Sequence, residues 1–360
     1  MRGPRAAFCQ WTSMPLWTQL CSKSKLHLHR LEAMTKSGVL IVDKPTGMTS
    51  HDVVGRVRRV LQTRRVGHAG TLDPDATGVL VVCVGDACRL VEYLSADDKV
   101  YEATIVFGAS TDTDDAAGRV LREASAEKLS RTDVETAAQR FIGKLQQRVP
   151  RVSAVHIGGR RAYELAREGE DFDAPVREVV VSDIEVLGFV AGVRATAQLR
   201  VDCSKGTYIR ALCRDLGEAL DVPAHLGALR RLRSGRFTVE QAMPLDVWQN
   251  TAMPDSALLP LALAADALPQ MRLPDAWCER LAMGQTVRIP TRFWPGEGGE
   301  RGESLPQEQR TTVAAGPMGT RLTAAVFSET TSELAAVAEV AWQVQELTVA
   351  PKKVFWKREQ

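Results

Sequence analysis

The chain has 360 residues, 44% hydrophobic and 25% charged, with a formal net charge of +2. A chain of this length and balance folds as one or two globular domains around a core that needs no staples, and no apolar run reaches the ~18 residues of a membrane span. Its seven cysteines are odd in number and form no C-x-x-C pair, which argues against a disulfide framework or a zinc site and for reduced thiols in a cytoplasm.

In chain order, residues 1–34 come first and differ from the rest. Arg2, Arg5, Lys23, Lys25 and Arg30 stand there against a single acid, Glu32. That bias is compatible with a transit peptide, and more simply with a disordered or non-native leader ahead of Met34. "GVLIVDK" then reads as a strand ended by the turn chemistry of "PTGMTS". Ser50 reads as an N-cap, and Val53, Val54, Val57, Val60 and Leu61 recur at helical spacing, so the pattern predicts a helix over 51–62. "GHAGTLDPDATG" has neither helical nor strand periodicity and is a loop. "VLVVCVG" and "KVYEATIVFG" read as strands, and "ASTDTDDAAG" as a polar loop. Residues 126–143 and 161–168 look helical. "VREVVVSDIEVLGF" and "ATAQLRVDCSKG" look like paired strands. "TYIRALCRDLGEAL" is a helix with Thr207 near its cap. After an Ala, Leu and Pro-rich stretch at 250–275 come short strand-like pieces, interrupted by the Gly/Glu-rich "WPGEGGERGESLPQEQR", which composition marks as mobile. The expected organisation is a mixed catalytic domain over 35–270 and a small all-β domain over 275–357.

Three segments are rich in arginine: "RVRRVLQTRR", "RVPRVSAVHIGGRR" and "LRRLRSGR". Taken alone, each is a solvated face or a stripe that neutralises phosphates. If they bind nucleic acid, Arg230 and Arg231 are expected to touch phosphates.

The loop at 67–78 holds two carboxylates, Asp73 and Asp75, among small residues. "DPDAT" matches the D-x-D-x-T of phosphatases that form a phospho-aspartate. That motif needs an apolar strand running directly into the first aspartate, whereas here the apolar strand follows it. From spacing alone, Tyr101 reads as a core residue of an alternating strand, and Tyr208 as a helix-capping residue.

Seven separated motifs occur in one order: "GVLIVDKPTGMTSHDVV", "GHAGTLDPDATGVLVVCVG", "KVYEATIVFG", "STDTDDAAG", "VPRVSAVHIGGRRAYELAREG", "CSKGTYIRALCRDLG" and "HLGALRRLRSG". In these the chain resembles the TruB-type tRNA pseudouridine synthases, which isomerise uridine at tRNA position 55. The resemblance runs from Ser37 to about residue 245. Less specifically, "ELTVAPKKVFW" is similar to the family's PUA-type RNA-binding domain. Two positions depart from the pattern: Ala69 stands where threonine is common, and Asp75 where the family is usually apolar.

The resemblance implies an α+β pseudouridine synthase fold, a mixed and largely antiparallel sheet with flanking helices, plus a small C-terminal β-barrel-like domain. It implies Asp73 as the nucleophilic carboxylate and Arg210 as the cation beside it. Tyr101 is implied to stack on the flipped uracil, and is a candidate for removing the C5 proton. Tyr208 should line the same pocket and His68 should stack against the RNA. The Leu229 backbone should contact the base. Lys44 is implied as scaffolding near the loop and is a candidate phosphate ligand. The reaction conserves atoms, so no cofactor and no metal are expected. The expected partner is the tRNA T-arm, with no membrane, and the protein is expected to be a cytoplasmic monomer. A non-catalytic RNA-binding or tRNA-chaperone protein on the same fold is the alternative.

Overall fold

The computed structural model describes residues 37–294, 319–343 and 346–356. The leader and the Gly/Glu-rich insert beyond Trp294, on which expectations were placed, lie outside these residues.

Residues 38–244 form a mixed α+β layer structure around a ten-stranded sheet. It opens with β1 (Gly38–Lys44), whose alternating side chains enter two different cores: Leu40 and Val42 on one face, Val39 and Ile41 on the other. Helix α1 (Ser50–Leu61) buries Val53, Val54, Val57 and Leu61 as one stripe. Its N-cap is Thr49, not Ser50. Thr49 and Asp52 form a reciprocal capping box that satisfies two otherwise orphaned backbone donors. Strands β2 (Val66–His68) and β3 (Thr77–Val84) pair antiparallel and bracket the loop at 69–76.

Strand β4 (Lys99–Phe107) follows, and a hairpin of β5 (Ala109–Thr111) and β6 (Val120–Glu123) forms within the stretch expected to be an irregular polar loop. Helix α2 occupies only Arg131–Gln139, shorter than the pattern predicted. A Ser130–Asp133 capping box starts it, and by Gly143, at φ 109°, the chain has turned into β7 (Gly143–Arg148). Next come the small hairpin β8 (His156–Ile157) and β9 (Arg160–Arg161), helix α3 (Ala162–Arg167), and the long pair β10 (Val176–Val190) and β11 (Thr196–Cys203).

Helix α4 (Ile209–Ala219) packs Ile209, Leu212, Cys213 and Leu216 into the core, and β12 (Ala224–Ser234) lies between β3 and β4. Short β13 (Phe237–Thr238) and β14 (Met243–Pro244) complete the sheet, whose main path runs β14-β1-β3-β12-β4-β11-β10-β7. Most pairs are antiparallel; β1 with β14 and β3 with β12 are parallel.

A second, five-stranded sheet runs β15-β17-β18-β19-β16, built from β15 (Gln270–Leu273), β16 (Val287–Pro290), β17 (Arg321–Ser328), β18 (Leu334–Trp342) and β19 (Glu346–Val354). Helix α5 (Asp275–Ala282) packs on it through Cys278 and Leu281, so this part is not purely β. The second face of β1 and β3 shares one apolar cluster with Ala325, Phe327 and Val337 of this sheet.

Candidate active site

Asp73 sits in the loop between β2 and β3, which the β1–α1 connection clamps from below. The Lys44 ammonium, with no exposed surface, donates to the carbonyls of Pro45 (2.8 Å), Met48 (2.5 Å) and Pro74 (2.9 Å). It is committed to backbone oxygens and does not reach out to a phosphate. The Ser50 hydroxyl, freed from capping, donates to Leu72 O and accepts from Leu72 N. The amide of Gly47 donates to Pro74 O at 3.0 Å. These bonds seize the loop on both sides of Asp73 while leaving its carboxylate reachable: the Asp73 side chain is 42% exposed, against 6% for Arg210.

Arg210 stands in the first turn of α4, where a cation opposes the helix dipole. Its compensation lies outside the helix. Nε approaches Asp73 Oδ2 at 3.0 Å and Nη2 donates to Asp73 Oδ1 at 3.3 Å, a fork grasping both carboxylate oxygens. The remaining donors go to Thr113 O and Val152 O, and Asp115 Oδ2 lies 3.6 Å away. The anionic partner that the resemblance implied for Arg210 is in contact with it.

The helix start that carries Arg210 has no side-chain cap of its own. Buried Gln147, on β7, takes that role: its amide accepts from Tyr208 N at 2.8 Å and donates to Tyr208 O at 3.1 Å. Thr207, expected near the cap, instead donates to Ser204 O. Gln147 and Asp115 were not singled out from sequence. Asp115 lies in the quoted "STDTDDAAG", so a search for carboxylates facing Arg210 would have found it. Gln147 left no such trace.

Tyr101 is buried on β4, with Arg231 directly across on β12 and Val201 on β11. Burial pushes its phenol up, and the Arg231 guanidinium beside it pulls the other way; Asp73 is close enough to add to the upward push. Burial also raises the Tyr208 phenol, against the pull of Arg177 and Arg210, and Asp73 acts on it too. The structure therefore gathers Tyr101, Tyr208 and Arg210 around Asp73. His68, on β2, is half-buried, with Nδ1 lacking a partner. Its pKa is lowered by burial and then by Arg231 and His51. Half-buried Leu229 lies opposite Ala103 on β4.

The segment "LRRLRSGR" overturns one expectation. It is neither a fully solvated face nor a free phosphate stripe, because β12 runs through the middle of the sheet. Arg230 grips Asp43 with both terminal nitrogens, at 2.7 and 3.1 Å. Arg231 is 1% exposed and spends its donors on Val79 O, Gly70 O and Thr71 O. Asp75 is exposed at the surface of the loop.

Among the described residues no group of three His, Cys, Asp or Glu is placed to hold a metal, and no helix is long and apolar enough to cross a membrane. The chemistry on display is a carboxylate held by a cation, with two phenols beside it and open access from one side.

The chain is similar to known proteins along most of its length. Residues 58–209 match the TruB family pseudouridylate synthase N-terminal domain, and residues 210–264 match the tRNA pseudouridylate synthase B C-terminal domain. The chain is 50% identical over 256 residues to the tRNA pseudouridine synthase B of Thermobifida fusca, an alignment covering 69% of this chain and 86% of that protein. It is 47% identical over 247 residues to its counterpart in Symbiobacterium thermophilum, covering 69% and 82%. Among solved structures, a chain of a Cbf5-Nop10-Gar1 complex superposes with a TM-score of 0.64 at 26% identity, covering 89% of this chain and 85% of that one. A chain of an H/ACA RNP bound to a substrate RNA containing 2'-deoxyuridine has a TM-score of 0.65 at 24% identity, covering 90% and 86%.

Proposed function

The chain belongs to the TruB family of pseudouridylate synthases, and from that premise we propose that it isomerises uridine to pseudouridine at position 55, in the T loop of tRNA, with Asp73 as the catalytic carboxylate. The reaction breaks the N1–C1' bond, forms C5–C1', takes the proton from C5 and returns one to N1. Atoms and electrons balance without a redox or energy cofactor. The requirement is a carboxylate fixed at the sugar–base junction, in a site that a flipped nucleotide can enter.

The observation that carries this reading is the fork of Arg210 on both oxygens of Asp73. An oriented carboxylate can perform covalent catalysis that a free one performs poorly. The loop around it is lined by Ala69, Gly70, Thr71 and Ala76, so little side-chain bulk stands between the carboxylate and an approaching nucleotide backbone. Extruding the uracil costs a few kcal/mol, and stacking on an aromatic ring returns roughly 1–3 kcal/mol. Tyr101 supplies that ring, Tyr208 a second wall, Leu229 a backbone contact and His68 a flat face. The five-stranded sheet, with its helix α5, acts as a PUA-like accessory RNA-binding domain. The protein works as a cytoplasmic monomer on the tRNA T-arm.

The test is to map pseudouridine in a bare tRNA transcript after incubation with the wild-type protein and with Asp73→Asn. Conversion at the T-loop uridine by the wild type alone is expected, with single-turnover rates differing by at least ~10³-fold and tRNA affinity by only a few-fold. An active Asp73→Asn protein would overturn the carboxylate assignment. A wild type that binds tRNA but converts nothing would favour the RNA-chaperone alternative.

A further inference from the structure

Arg231 is a buried cation with no carboxylate partner among its hydrogen bonds. Its guanidinium donates from Nε to Val79 O at 2.7 Å, from Nη2 to Gly70 O at 3.1 Å and from Nη1 to Thr71 O at 3.4 Å. Val79 lies on β3, whereas Gly70 and Thr71 open the loop that carries Asp73. One planar fork therefore ties the start of the loop to the strand that ends it. A lysine's compact ammonium lacks that spread of donors.

The backbone is shaped to admit this side chain. Gly78 has φ 98°, and a Cβ there would come within 2.2 Å of Arg231 O, so β3 approaches β12 more closely than any other residue permits. Gly70 has φ 97°, and a Cβ would sit 3.4 Å from Arg231 Nη1. Gly78 thus lets the two backbones meet, and Gly70 lies against the guanidinium.

Across the strand pair, Arg231 is in register with Tyr101, so both side chains leave the sheet on the same face. We propose that Arg231 is a positioning residue for the isomerisation, holding the Tyr101 phenol and the neck of the Asp73 loop in one fixed relation. This rests on the roles given above to Asp73 and Tyr101.

The electrostatics agree with the geometry. Arg231 draws the Tyr101 phenol down against the push of burial, Cys203 and Asp73. The same cation depresses its other neighbours: His68, Lys44 and Lys99 are all lowered, burial being the first cause and Arg231 contributing. Removing or retracting the cation leaves the phenol harder to ionise. It also frees the loop of two hydrogen bonds, those at Gly70 O and Thr71 O.

The experiment uses full-length Arg231→Lys, with Arg231→Gln as a second variant, measured by single-turnover conversion of a tRNA transcript across pH, by filter binding and by thermal melting. The expected result is a folded protein with tRNA affinity within about threefold of wild type. Its rate should fall by about 100-fold, the scale of a misplacement near 1 Å. The rise of rate with pH should be displaced to higher pH. In a Tyr101→Phe background the same Arg231 change should cost less, because part of its effect acts through the hydroxyl. A folded variant with wild-type rate and pH profile would overturn the proposal. So would loss of the fold by both variants, which would assign Arg231 to stability alone. Asp73→Asn run alongside keeps the outcomes apart: if it is active, the reading of the site fails; if it is inactive while Arg231→Lys is normal, only the proposal fails.

Discussion

The two sheets handle charge in opposite ways. Among the described residues, nine of the ten buried polar or charged side chains fall between Lys44 and Ser234, and the second sheet contributes only Ser328. The four buried ionisable ones, Lys44, Lys99, Arg210 and Arg231, are all cations. They are held mainly by backbone carbonyls, with Asp73 and Asp115 the carboxylates that approach Arg210. In the second sheet the interior is Val, Ala, Leu and Trp, with Trp294 packed edge-on against Trp342 at 4.6 Å. Its ion pairs, such as Arg321–Glu339 at 3.0 Å, stay at the surface, where such pairs contribute little. Burying an ion costs several kcal/mol, and a domain accepts that where every donor is satisfied. Spending carbonyls on Lys44 and Arg231 satisfies their donors without pairing either cation with a carboxylate. That suits a polyanionic substrate.

Variants can break or sharpen this contrast. The largest effect after Asp73→Asn is expected from Arg210→Lys, which keeps a charge and loses the fork. Single-turnover conversion should drop by about 10²-fold with the far-ultraviolet spectrum unchanged; a near-normal rate would show that one point charge suffices. The matching change in the other sheet is Val340→Ala, at a fully buried position. It should lower stability by about 1–3 kcal/mol through the cavity it leaves, with conversion per folded molecule unaltered. A rate that falls with it would mean the second sheet transmits strain to the loop.

A smaller effect is expected at Asp97, beside Lys99, where burial pushes the carboxyl up to about 6 against the pull of Lys99 and Arg233. An acid whose folded pKa exceeds its unfolded value of 3.8 costs stability as pH rises through that interval, and the cost is complete above pH ~6. Asp97→Asn removes the ionising group. It should raise the melting point at pH 7.5, by an amount equivalent to about 1–2 kcal/mol, and match wild type near pH 4. Equal curves at both values would mean Asp97 is not desolvated. Least of all should come from Asp75→Leu. Asp75 is exposed at the loop surface, so neither turnover nor stability should move by more than about 0.5 kcal/mol. An inactive but folded Asp75→Leu protein would revive the two-carboxylate reading that strand order argued against.

Much of the first sheet was legible before any coordinates. β1, β3 and β4 are apolar runs bounded by turn residues, and α1 shows its stripe of Val53, Val54, Val57 and Leu61. The loop stood out because two carboxylates among small residues in an aperiodic stretch have no packing purpose, and the family resemblance singled out Asp73 of the two. The limits of α2 were not legible, since 140–148 carries enough apolar residues to extend a helical pattern, and only its pairing with β10 decides for strand. Ser50 looked like the cap because it begins the helix; Thr49 holds that place through its bond with Asp52.

The sequence by itself determined the family and the long apolar strands and amphipathic helices, because hydrophobic period, turn chemistry and motif order are properties of neighbouring residues. Only the tertiary structure decided what the cations do. Arg230 and Arg231 look alike on paper, yet one grips Asp43 at the sheet surface and the other holds the Asp73 loop from within. Arg231 reaches Gly70, 161 positions away in the chain, and Gln147 reaches Tyr208, 61 positions away. A side chain bonded to a distant backbone carbonyl imposes no side-chain type on that partner, so nothing in the local pattern of either segment reveals the pair until strand order brings them together.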